Sequence, residues 1–257
     1  MRLLLAAATA TALLGQAAAT RPSFEVVSIK SSNELDPGGD LRWTPGGTVR
    51  IRNFPARGLL MSAYGNPRRP LLPSQLIGAP DWVSTERYVI TAKVGADLAA
   101  RPQTDWFANL PGLLQSLLEE RFKLTAHLET RELPVYVVRM ANQSGRLGPR
   151  LQRSSLDCEK QRAKCFFRAE PGHQFAGSVD VETIVLSVTS SLGRVVINRT
   201  GLTGKYDFDL EWSPDQSSPD KPSIFAAVQE QLGLRIDSER APVEVLVVDH
   251  IERPTEN

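Results

Sequence analysis

Apolar and polar positions change period several times along this chain, and the changes come twice in the same order. In the first stretch Val49-Arg-Ile-Arg52 alternates with a period of two, as a half-buried strand does. After Asn53, Pro55 suits the first turn of a helix, and Leu59, Leu60 and Ala63 recur at helical spacing. Arg87–Lys93 alternates again, with Tyr88, Ile90 and Ala92 on one face. A helical run over Leu113–Leu124 follows, then two strand patterns, His127–Leu133 and Pro134–Val138.

The second stretch opens at Phe175. Ser178 or Asp180 can cap a helix whose apolar stripe is Val181, Ile184, Val185, Val188 and Leu192, and Gly193 stops it. Lys205–Glu211 places Tyr206, Phe208 and Leu210 inward and Asp207, Asp209 and Glu211 outward. A helix over Ile224–Leu234 and strands Arg235–Ala241 and Pro242–Val248 complete the series. Each half thus reads strand, helix, strand, helix, strand, strand, with a proline opening the last strand, where a missing N–H is tolerated.

Helices alternating with hairpins predict an α+β fold: two similar units of antiparallel sheet with helices packed on it. The pattern sets the first unit at 20–141, a connector at 142–174 and the second unit at 175–257. Phe24–Ile29 adds one strand at the start. Pro, Gly, Ser and Asp mark loops over Asn33–Gly47, Gly65–Ser74 and Ser213–Pro222. Gly201-Leu-Thr-Gly204 reads as a tight turn that needs glycine at positive φ.

The first 19 residues change the picture by setting a compartment. Arg2 supplies a positive charge, Leu3–Leu14 is apolar apart from threonines, and Ala17-Ala-Ala19 offers a small-residue cleavage site. That order predicts a signal peptide over 1–19 and an exported protein, periplasmic or extracellular. The apolar run is shorter than the ~20 residues a spanning helix needs, and no later run reaches that length. The remainder, 41% hydrophobic and 23% charged with net charge +1, is ordinary globular composition. So balanced a charge gives no ground for nucleic-acid binding.

Export also bears on Cys158 and Cys165, the two cysteines of the chain. An even count in an oxidising compartment predicts a disulfide between them. Closing so small a loop removes about 2.5 kcal/mol of unfolded-chain entropy. A zinc site would want four ligands, and no second Cys or His pair lies near. Around this hairpin the connector is basic: Arg150, Arg153, Lys160, Arg162 and Lys164 stand among few acids. Cations held on a stiff hairpin are candidates for docking an acidic envelope polymer or protein surface. Trp43, beside Arg42 in a Gly-rich loop, is the tryptophan expected to be exposed and is added to the binding candidates.

Five segments carry a family resemblance. They are Phe24-Glu-Val-Val-Ser-Ile-Lys30, Gly78-Ala-Pro-Asp-Trp82 ahead of Tyr88, and Leu117–Leu124 with His127-Leu-Glu129. Val196-Ile-Asn-Arg-Thr-Gly-Leu-Thr-Gly-Lys-Tyr-Asp-Phe208 with Glu211-Trp212 is the fourth, and Leu232-Gly-Leu234 with Pro242–Val245 the last. In this order they resemble the bacterial "soil-associated protein" family, an exported domain of unknown function, over nearly the whole mature chain. In some relatives a similar domain follows a membrane metallopeptidase region like that of β-lactam sensors. The resemblance therefore implies a sensory or binding role outside the membrane. The H-E-x-x-H motif of those relatives is absent here, so no peptidase activity transfers.

Catalytic chemistry has few footholds. There is no G-x-S-x-G elbow and no dinucleotide fingerprint. His127 and Glu129 would share a strand face about 7 Å apart, short of a metal site without a third ligand. Asp207, Asp209 and Glu211 on a flat strand are too far apart to wrap one cation. No cofactor and no metal is expected. The sequence reading is a non-catalytic extracytoplasmic binding or sensory module. Its rival is a hydrolase or metal-dependent enzyme with a dispersed site drawn from His127, Glu129 and Asp207. N-terminal sequencing of exported material should begin close to Thr20; retention of Met1 would overturn the export reading.

Overall fold

The computed structural model describes residues 21–34, 38–65, 71–214 and 221–257, and the expected signal peptide lies outside them. The fold is mixed α+β. Its first part runs β1 (Phe24–Ser31), β2 (Asp40–Thr44), β3 (Thr48–Pro55), α1 (Ala56–Tyr64), β4 (Leu76–Ile77), α2 (Trp82–Thr85), β5 (Arg87–Val94), α3 (Ala96–Ala99), α4 (Gln103–Arg121) and β6 (Thr125–Met140). Its second runs β7 (Leu151–Arg153), β8 (Phe166–Glu170), β9 (His173–Asp180), α5 (Val181–Leu192), β10 (Val196–Asn198), β11 (Lys205–Glu211), α6 (Ile224–Leu232) and β12 (Leu234–His250).

These strands form three four-stranded sheets, ordered β1-β5-β3-β2, β10-β6-β12-β4 and β7-β11-β9-β8. The two outer sheets are antiparallel throughout. They share an order of pairing: a hairpin, a helix, and a strand returning beside the hairpin's second strand. Each also bends at a non-glycine residue in the left-handed region three positions before its helix, Asn53 at φ 50 and Ser178 at φ 60. Asn53 is fully buried and held by Ser32 Oγ, which donates to its Oδ1, and by Arg87, which donates to its carbonyl.

The central sheet corrects the sequence reading. The two short strands expected at the end of each half are one long strand, β6 in the first and β12 in the second, and these pair antiparallel with each other. Neither proline breaks the ladder, because backbone groups of a strand face alternate edges. Tyr136 N–H donates to Val195 O on the β10 side, so Pro134, two residues earlier, turns its imide nitrogen away from β12. Glu244 O accepts from Gln75 Nε2 on the β4 side, which turns Pro242 away from β6 in the same manner. No donor is lost at either site. The central sheet is also mixed, since β10 runs parallel to β6 and β4 parallel to β12. Each part of the chain therefore lends a short strand to the long strand of the other.

Two large cores result. One joins the first sheet to α1 and α4 through residues such as Ile29, Ile51, Leu60, Ile90, Leu114 and Phe122, with Leu246 and Val248 of β12. The other joins the third sheet to α5 and α6 through Val185, Tyr206, Phe208 and Val228, with Val138 of β6 and Leu234 of β12. The helix ends follow the expected chemistry. Asp180 accepts from Thr183 N at the start of α5, and Gly193 and Gly233 take φ 61 and φ 70 at the ends of α5 and α6. Gly201 and Gly204 stand at φ 71 and φ 92, as the turn reading requires.

The connector is fastened to α6 by backbone. Gly148 N–H donates to Leu232 O and Arg150 N–H to Gln231 O. A Cβ on Gly148 would stand 2.3 Å from the Gln231 carbonyl oxygen and 2.5 Å from Gly233 N, and neither backbone atom can yield. Gly148→Ala is expected to destabilise by about 2 kcal/mol, as overpacking does. A lower urea midpoint with unchanged slope would show it; a wild-type midpoint would refute this account of the contact.

Candidate functional site

The disulfide joins Cys158 to Cys165, with Cα atoms 5.7 Å apart, and Arg162–Lys164 makes a short 3-10 turn inside it. This hairpin is pressed onto β9: a Cβ at Gly177 would lie 2.2 Å from the Lys164 carbonyl oxygen. The basic residues of the connector do not act together. Arg150 reaches Asp209 at 3.4 Å and Glu211 at 3.7 Å, and Arg153 lies over the Tyr206 ring while donating to Thr203 O. Lys160 pairs with Asp157 at 3.2 Å although most of its side chain is in solvent. Arg162 and Lys164 are exposed and have no ion-pair partner among the described residues.

Trp43 is not the exposed residue its loop composition suggested. It is half-buried on β2 and stacks on Trp106, ring centroids 5.3 Å apart, against the first core. A stacked pair of this size removes more apolar surface from water than either ring alone, so the hairpin folds inward over α4. Trp43 Nε1 is buried there without a hydrogen-bond partner.

The residues of the dispersed catalytic alternative are divided between sheets. His127 Nδ1 is 2.8 Å from Asp249 and its Nε2 is 3.7 Å from Glu129, all on the central sheet. Asp207 belongs to the third sheet, opposite Gln152, and accepts from Ser178 N–H. A cluster that the pattern reading missed lies on that same sheet. His173, Asp209 and Glu211 bring ligand atoms within 4.8 Å of one another. The strand register pairs His173 with Glu211, and no sequence period announces such a pairing. Arg150 spans both carboxylates and His173 stacks on Phe175, so the group is an ion-pair network on a sheet face.

Concavity gathers elsewhere. A cleft of about 310 Å³ opens where the two parts of the chain meet over the central sheet. Tyr64 and Leu71-Leu72 bound it from the first part, Glu182 and Leu186 of α5 from the second, with β10 and Pro242–Glu244 completing it. Its polar groups are largely fixed. Gln75 spends both ends of its amide, accepting from Leu72 N–H and donating to Glu244 O. Asn198 accepts from Thr200 N–H and donates to Glu182. Burial, reinforced by the nearby Glu119 carboxylate, holds the Tyr64 phenol above its ordinary pKa, so it is a neutral hydroxyl at neutral pH.

With this geometry in view, the sequence model of a family described as a protein of unknown function, DUF3738, matches residues 57–251. The chain belongs to the DUF3738 family. The match covers both helical layers, the whole β6–β12 ladder and every wall of the cleft, and leaves out β1 to β3. No curated protein and no solved structure matches this DUF3738 chain. No helix among its described residues is long and apolar enough to cross a membrane.

His127 offers a check on the electrostatics of the central sheet. Its hydrogen bond to Asp249 comes first in raising its pKa above the ordinary value, with Glu129 adding to it. Asp249→Asn should therefore lower the midpoint of the His127 ring titration followed by NMR. Because the folded value lies above the unfolded one, stabilisation from this pair is full below the unfolded midpoint. It is lost as pH rises through the folded midpoint. An unchanged midpoint in the variant would show that the pair does not form in solution.

Proposed function

We propose that this DUF3738 chain is an exported, non-catalytic binding or sensory module that takes a small, partly apolar ligand in the cleft over its central sheet. One observation carries the reading: a preformed hollow with Leu71, Leu72, Leu186, Val195, Ile197 and Val243 in its walls, where the amides of Gln75 and Asn198 are spent on neighbouring protein groups. Its volume falls at the small end of the range of ligand sites. The Tyr64 hydroxyl is the group that would orient a ligand. The division of His127 and Asp207 between sheets supports binding over the dispersed enzyme.

The signal-peptide pattern supports work in the periplasm or outside the cell. The likeness to soil-associated proteins, some of which follow sensor-type peptidase regions, supports a sensory use. Two similar units, 20–141 and 175–257 joined by 142–174, are part of the same proposal, supported by the pairing order of the outer sheets. The hairpin around Arg162 and Lys164 would then contact an acidic envelope surface. Arg150 and Arg153, exposed but already engaged with Asp209 and with Thr203 O, would contribute less to that contact.

The test is fluorescence titration with the neutral apolar probe N-phenyl-1-naphthylamine. Saturable emission enhancement is expected. Leu186→Glu, placing a charge on the half-exposed wall of α5, should weaken it roughly tenfold or more. Equal binding by the variant, or none by the native chain, would sink the cleft reading.

A further inference from the structure

We infer that the outer edge of β8 pairs with the same edge of a second copy of this chain, antiparallel, about an axis at Arg168. β8 stands last in the third sheet and pairs with β9 alone. All of its residues, Phe166–Glu170, are exposed, and Phe166 and Phe167 stand 39% and 41% in solvent. An exposed apolar edge of this kind is a template for another strand. The free edge of β6 near His127 is blunted by a run of charged side chains, whereas β8 presents two phenylalanines.

The hairpin fixes which backbone groups point outward. Trp212 N–H donates to Gly172 O, so Gln174 and Ala176 of β9 turn their backbone groups to β11, and His173, Phe175 and Gly177 turn theirs to β8. The residues of β8 opposite those three are Glu170, Arg168 and Phe166. Phe167 and Ala169 therefore aim their N–H and C=O groups away from the sheet, with no hydrogen-bond partner among the described residues.

One register satisfies all of these groups. With Arg168 opposite Arg168 of the second copy, Phe167 of each copy meets Ala169 of the other, and each such pair exchanges two hydrogen bonds. Moving the axis to Ala169 sets Phe167 against Pro171, which has no N–H. Moving it to Phe167 sets Ala169 against Cys165, whose N–H is spent on Arg162 O. The side chains suit the same register. Phe167 and Ala169 share a face, so a large ring meets a methyl group across the axis. On the other face Arg168 lies over the ring of its own Phe166, 5.9 Å from the centroid. Two arginines opposite each other would repel, but Glu170 of the second copy comes diagonal to each. Neither Arg168 nor Glu170 has an ion-pair partner among the described residues, so the charges of the two copies complement each other. The β9 ladder and the seat of the disulfide hairpin on Gly177 already order this edge, so pairing costs little. The edge shares no residue with the cleft over the central sheet.

The test is sedimentation velocity on the mature chain, disulfide intact, at concentrations up to roughly 0.1 mM, where so small a contact should populate a dimer. Hydrogen exchange of the Phe167 and Ala169 amides, followed by NMR, should slow as the dimer fills. Ala169→Pro removes an outward N–H and leaves the β9 ladder intact, since proline is tolerated at such edge positions. It should weaken the dimer about tenfold or more. Arg168→Glu, at a fully exposed position, keeps the test open if the proline variant unfolds. It leaves carboxylates alone around the axis and should weaken the dimer severalfold. Adding Glu170→Arg to that variant brings back the alternation of charge and should bring back the dimer. A chain that stays monomeric over the whole range overturns the inference. So does a dimer whose Phe167 and Ala169 amides exchange as fast as in the monomer, or one that Ala169→Pro and Arg168→Glu leave unchanged.

Discussion

β6 and β12 pair from Thr125 to Met140 and from Leu234 to His250, giving one antiparallel ribbon roughly 50 Å long. Everything else attaches to it. Leu246 and Val248 anchor the first core, while Val138 and Leu234 anchor the second. β4 docks on the β12 edge and β10 on the β6 edge, so each part of the chain completes a sheet on the strand supplied by the other. Removing either part would strip a short strand of its partner and expose an apolar face of the ribbon. The two parts are therefore held together by backbone pairing as well as by side-chain packing. The cleft exists because the layers of the two parts meet over a ribbon that neither covers completely.

The same ribbon explains where charge goes. The outer half of β6 carries His127, Glu129, Arg131 and Glu132 on a strand exposed over much of its length. Charges there keep an unpaired edge from recruiting another strand. On the third sheet, Arg150 pairs with both Asp209 and Glu211, while His173 meets Asp209 through Nε2 at 3.0 Å and stacks on Phe175. Part of the basic stretch that stands out in one dimension is thus paired in three. The short turn that carries Arg162 and Lys164 is stiffened by the disulfide and by its seat on Gly177.

Much of the architecture was legible because period reports burial. Tyr206, Phe208 and Leu210 alternate and are buried, and the stripe from Val181 to Val188 packs inward as helical spacing demands. Caps at Asp180 and Gly193 were legible for the same local reason, since a cap is satisfied within a few residues. Local reasoning also misled. Pro134 and Pro242 looked like strand openings because proline removes a donor. Whether that donor matters depends on which edge it faces, and the neighbouring strand decides that. Trp43 looked exposed because its neighbours are glycines and charges, yet its partner Trp106 is far along the chain.

By itself the sequence determined the α+β class, the helix and strand periods, the helix caps, the glycine turns and the pairing of its two cysteines. All of these rest on interactions between residues close in the chain or on the absence of any other partner. Only the tertiary structure decided that β6 and β12 are single long strands and that β4 and β10 cross between the parts. It likewise brought His173 to Glu211. These depend on register and on which edge a backbone group faces. Neither is written in the period of one strand, because both are properties of the strand beside it.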